Sequence, residues 1–274
     1  MANILWSFVA ALSAATEPRG SGWHGQVLMV GLAWATFRPD RPPTSHQMQR
    51  QVRAWAVLFL ALGVFEVAAW AVAAARSPDA PLSLPASLLL AVIGAMGFLF
   101  PERAMFIVYG AIYAWAGVPD ALAAPKPGAI ILRLVICVFL IAQFSSFRRV
   151  APDDDGRQTE MAAPQFLSSE RIAPPLPSRA ARVFPWLGPA LGAVSLALTP
   201  TLLLAPVLPV FEAGSKLLIF LSSVAVLAGM LGFAVSLAAL LAQFEPRSRS
   251  ISGLIASSAL LAFWLMTSLV GVGG

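Results

Sequence analysis

The chain has 274 residues, 58% of them hydrophobic and only 11% charged, with a mean hydropathy of +0.79. A soluble globular domain carries about a quarter of its residues as charges, so this composition excludes one and makes lipid the solvent. The net charge of +5 comes from arginines scattered over several short polar segments, without a continuous patch or interleaved aromatics, so no nucleic-acid partner is expected.

The apolar sequence falls into two blocks around one long polar interruption, residues 148–182. Runs in each block have the length needed to cross the roughly 30 Å hydrocarbon core of a bilayer. The expected fold is therefore all-α and polytopic, with about seven transmembrane helices arranged four plus three. It divides into an N-terminal interfacial or re-entrant region (1–43), a four-helix membrane block (44–147), a Pro-rich linker (148–182) and a three-helix membrane block (183–274).

In chain order, the first residues end in small side chains like a signal peptide but lack its basic opening, so they are expected to be retained. Helical spacing puts Ile4, Leu5, Phe8, Val9 and Leu12 on one face and Asn3, Ser7, Ala10 and Ala14 on the other, which predicts an interfacial helix. Trp23 to Phe37 is barely long enough to cross and reads as re-entrant or interfacial. Pro42 and Pro43 stop it, Thr44 is a candidate N-cap, and a helix is predicted from Ser45 with an apolar span over Ala54 to Ala75. Further spans are expected at Leu84 to Phe100, Ala104 to Val118 and Gly128 to Phe147. The interruption holds six arginines, five acids and five prolines without hydrophobic periodicity, which predicts a disordered tether. Beyond it, spans are expected at Trp186 to Leu208, with a kink near Pro200, at Leu217 to Phe244 and at Ile251 to Val272.

This assignment distributes basic residues unequally between the two sides. Thirteen arginines, from Arg38 to Arg249, fall on one side, and only Arg76, Lys126 and Lys216 on the other. The positive-inside rule then predicts a cytoplasmic linker and an outward C-terminus. The Arg-rich, Ala-rich usage points to a bacterial plasma membrane.

Two patterns stand out as candidate sites. Glu66 and Arg133 lie within spans, at roughly 13 Å and 8 Å depth at 1.5 Å per residue, where charge is costly unless paired. They are expected either to form an intramembrane charge pair that pins the first and fourth spans or to leave Arg133 snorkelling outward. Ser222, Ala225, Gly229, Gly232, Ser236 and Ala239 recur at steps of three and four, a seam of small side chains that lets another helix approach closely. Its expected partner is the seventh span, through Ser252, Ala256 and Ala259. Gly188-x-x-x-Gly192 is a weaker instance because Pro189 interrupts it.

Other residues argue against chemistry. The only histidines, His24 and His46, precede every clear span, and the single cysteine, Cys137, lies in an apolar run, so no metal, haem or other cofactor is expected. Pro174-Pro175-Leu176-Pro177-Ser178-Arg179 has the form of a polyproline ligand but reads as a stiff spacer. The expected function is therefore non-catalytic: an accessory or scaffold subunit in the lipid bilayer, with a membrane-protein partner or a second copy of itself. The alternative is a transporter or channel for a small or lipophilic solute that uses Glu66 and Arg133.

Overall fold

The computed structural model describes residues 5–7, 9–12, 28–32, 45–76, 87–116, 127–147, 178–204 and 216–272, and every regular element among them is helical. The principal helices are α1 (Ser45–Arg76), α2 (Ser87–Leu99), α3 (Ala104–Ala116), α4 (Pro127–Ser146), α5 (Arg179–Leu204), α6 (Lys216–Leu241) and α7 (Arg247–Val272). Four contain a stretch long and apolar enough to cross a bilayer: Ser45–Ala69, Pro127–Ser146, Arg179–Thr199 and Phe220–Leu241. Leu88–Leu99 and Ala104–Trp115 are apolar but shorter. At 1.5 Å per residue, α2 and α3 are each about 20 Å long.

α2 and α3 form a hairpin. Pro101 lacks the donor that would continue α2, and the Glu102 and Arg103 carbonyls accept from the amides of Met105 (3.0 Å) and Phe106 (3.1 Å) to start α3. α3 packs against α1, α2, α4 and α6. It is accordingly buried over most of its surface: Ala104 to Gly110, Ile112 and Tyr113 are buried, Ala111 and Trp115 half-buried and Ala114 exposed. Against it, Trp55 and Phe59 of α1 stack in series with Tyr109, ring centroids 6.0 and 5.0 Å apart, and the Tyr109 hydroxyl donates to the Val52 carbonyl at 3.3 Å. Two glycines of α2 allow this approach. A Cβ on Gly94 would meet the α1 backbone at Leu60, and one on Gly97 would overlap the Tyr109 hydroxyl.

α5, α6 and α7 pack on one another, and α6 also covers α3 through Phe233 against Trp115. α5 begins at Arg179, within the stretch expected to be a disordered tether, and runs on through Pro185, Pro189 and Pro200. The early start has a specific cause. Ser178 Oγ accepts from the Ala181 amide (3.2 Å), and the Glu102 carboxylate accepts from Ser178 Oγ (2.7 Å) and the Ala180 amide (3.1 Å), so orphan donors at the helix start are satisfied. The cap residue lies 76 positions away in sequence. α6 ends in a Schellman turn: Gln243 has φ 61°, its amide donates to the Leu240 carbonyl, and the Phe244 amide donates to that of Ala239.

The N-terminal pieces pack together, with Trp6 Nε1 donating to the Leu28 carbonyl at 3.0 Å. Leu5, Val9 and Leu12 point outward while Ser7, Ala10 and Ala11 are buried. That is the reverse of a soluble amphipathic helix and suits an apolar solvent. The rest of Trp23 to Phe37, the Thr44 cap, and the linker from 148 to 177 lie outside the described residues, as does most of the polyproline motif.

Candidate functional site

Arg133, within the candidate span Pro127–Ser146, is tied to a helix end. Arg133 lies in α4, half-buried, and its Nη1 donates to the Tyr113 carbonyl at 3.2 Å while the guanidinium sits 4.9 Å from the Tyr113 ring centroid. Tyr113 belongs to the last turn of α3, whose carbonyls have no partner within the helix. A cation there also meets the negative end of the helix dipole, so both the hydrogen bond and the charge are favourable. One turn further along α4, Cys137 Sγ contacts the Gly110 carbonyl at 3.7 Å. Glu66 is half-buried on α1, a helix that packs mainly on α2.

The small-residue seam sits at a three-helix crossing. Ala225, Gly229, Gly232, Ser236 and Ala239 are buried, Ser222 is half-buried, and the seam faces α5 as well as α7. A Cβ on Gly232 would lie 2.8 Å from Ser257 Oγ of α7, 3.1 Å from the Gly192 amide nitrogen and 3.2 Å from the Gly188 carbonyl of α5. One on Gly253 would lie 2.7 Å from the Pro189 nitrogen and 3.0 Å from the Gly188 carbonyl carbon. The Gly188/Gly192 pair, discounted because of Pro189, is thus the α5 surface of the crossing. Proline nitrogen carries no hydrogen, which leaves room for the α7 backbone to pass over it. On α7 the buried set is Ser250, Gly253, Ser257 and Leu261, whereas Ser252 and Ala259 are exposed and Ala256 is half-buried. Gly253 sets this register, because α7 must present it to both α5 and α6.

Polar groups at the crossing are few and small. Ser195 Oγ of α5 donates to the Ala225 carbonyl of α6. The hydroxyls of Ser236, Ser250 and Ser257 are buried without a hydrogen-bond partner among the described residues. They act as space-filling atoms, at a cost of about 1–3 kcal/mol each for the lost solvation.

At the other end from Arg133, aromatic and basic residues gather where helices start and stop. Phe100, Phe184 and Phe244 form a cluster at 5.4 and 6.2 Å, joining the α2–α3 turn to α5 and the end of α6. Arg103 lies over Phe144 at 5.5 Å, and Arg249 lies over Trp186 at 3.4 Å. Nothing local in the sequence marks Glu102 as a partner of α5, and Trp186 marks only the expected start of a span. Ser178, before a helix-compatible run, was the available signal for the true start of α5. His46 is exposed at the start of α1, and among the described residues no three His, Cys, Asp or Glu side chains converge. Comparison of the chain with family models, with curated proteins and with solved structures finds no match.

Proposed function

We infer that the chain is a non-catalytic, seven-span protein of a bacterial plasma membrane, with a cytoplasmic linker and an outward C-terminus, serving as an accessory or scaffold subunit. The observation that carries this reading is where its polar side chains go. Glu102 closes the start of α5, Arg133 closes the end of α3, Ser195 bridges α5 to α6, and the remaining crossing serines fill space. These are the contacts of a packing device. The small-residue seam is occupied within the chain, so a partner would use another surface. α4, the least buried of the four candidate spans, offers Ile131, Leu134, Val138 and Ile141 along one exposed side.

Extraction of the tagged chain from its native membrane in mild detergent, with mass spectrometry of the co-eluting proteins, tests the proposal. A stoichiometric membrane-protein partner is expected. A lone monomer would overturn the subunit reading and turn attention to the rival, a solute carrier or channel using Glu66 and Arg133. That rival requires solute flux in liposomes that is abolished by Glu66→Gln. The engagement of Arg133 with Tyr113 favours the structural role.

A further inference from the structure

Four arginines open two neighbouring helices at the same end of the bundle: Arg179 and Arg182 on α5, Arg247 and Arg249 on α7. The two helices run parallel here. Arg249 lies against Trp186, Gly253 against Pro189 and Ala256 against Gly192, a nearly constant register that brings Arg247 level with Val183 and Phe184, within one turn of Arg182. Neither helix has an acidic residue in its first turn, so these cations are added to helix ends that are already positive. Arg179, Arg182 and Arg247 are exposed and form no ion pair among the described residues. Two carboxylates are described nearby. Glu102 is engaged by Ser178 and Ala180, and Glu245 is exposed and likewise forms no ion pair among the described residues.

One of the four arginines is fixed in place. The Arg249 guanidinium carbon lies over the Trp186 ring, 3.4 Å from its centroid, and that residue is 59% exposed. An exposed tryptophan beside arginines marks the depth of the lipid headgroups. Deeper along the same helices, α5 exposes Val194 and Leu196 and α7 exposes Ile251 and Ile255, apolar surface that continues away from the cations.

We propose that this corner, formed by Arg182, Arg247 and Arg249 around Trp186 with Arg179 at its rim, binds the phosphate headgroup of an anionic phospholipid. The guanidiniums donate to the phosphate oxygens in the planar, paired geometry that lysine does not reproduce, and the acyl chains lie on the apolar surface of α5 and α7. The charge then left on the helix starts is neutralised by the lipid.

Native mass spectrometry of the intact, detergent-solubilised protein, titrated with phosphatidylglycerol or phosphatidylcholine, tests the assignment. Phosphatidylglycerol is expected to bind at least tenfold more tightly than phosphatidylcholine. The triple variant Arg182→Gln, Arg247→Gln, Arg249→Gln is expected to lose that preference, and the double variant Arg50→Gln, Arg53→Gln, which removes charge from α1, is expected to keep it. Should the triple variant fail to fold, Arg182→Gln alone reads the same contact and is expected to weaken phosphatidylglycerol binding about threefold, since one charge-assisted hydrogen-bonding group is removed. Equal binding of the two lipids, equal losses in the α1 and α5/α7 variants, or displacement of the lipid by millimolar inorganic phosphate would each overturn the proposal.

Discussion

Gly253→Ala puts a methyl group where two backbones approach closely in the α5–α6–α7 crossing. The added Cβ would lie 2.5 Å from Ser236 Oγ, 2.7 Å from the Pro189 nitrogen and 3.0 Å from the Gly188 carbonyl carbon. Two of these are backbone atoms, which cannot swing aside as a side chain can, so the helices must separate along the seam. Overpacking of this kind costs about 1–3 kcal/mol, against about 1 kcal/mol gained from the better helix propensity of alanine. Gly110→Ala is the matched control. It is also buried and helical, but its Cβ would meet only Leu140 side-chain atoms at 3.7 and 3.9 Å, an ordinary contact. That variant keeps the propensity gain without the clash. Reversible unfolding in mixed micelles should therefore place Gly253→Ala about 1–3 kcal/mol below Gly110→Ala. Gly94→Ala, whose Cβ would lie 2.7 Å from Leu60 Cα and 2.8 Å from the Ala56 carbonyl oxygen, should repeat the loss in the other block. If Gly253→Ala proved as stable as Gly110→Ala, the crossing would not be held by close backbone approach.

Three further outcomes are expected. Glu102→Ala should cost about 0.5–2 kcal/mol, the value of a helix cap, and should speed proteolytic cleavage around Ser178, whereas Glu102→Gln, which keeps an acceptor, should lose less. Combined with Tyr113→Leu in a double-mutant cycle, Arg133→Met should show a coupling of about 0.5–2 kcal/mol, because guanidinium and ring interact directly; additive losses would remove that contact from the account. Cys137, half-buried with its sulfur on the Gly110 carbonyl, should resist membrane-impermeant thiol reagents added from either side of sealed vesicles and react only after detergent unfolding.

Helix positions were legible because the punctuation is local. Pro101 ends α2, and the residues after it open α3 where expected, at Ala104. The small-residue period on α6 was equally readable, since steps of three and four mark one helical face whatever the partner. The partner itself was not, and the reason is physical: Gly253 and Gly188 matter through a contact between helices more than sixty residues apart, which no periodicity on either helix encodes. The start of α5 was missed on the same ground. Its first turn contains no acid, and its carboxylate cap arrives from Glu102 in another hairpin. The charged residues were found by their cost in lipid, yet the reason for Arg133, an unsatisfied carbonyl at Tyr113, depends on where α3 stops.

The burial of α3 has a consequence for the order in which the protein is made. This helix receives one side of its covering from α1 and α2, another from α4, and the last from Phe233 and its neighbours on α6, which are synthesised only after the linker and α5. If α1 to α4 enter a membrane before α6 is made, α3, about 20 Å long, is delivered still bare along one flank. Until α6 arrives, that flank faces lipid, insertion machinery or a chaperone. The covering of α3 is thus completed only by a helix made after the linker and α5.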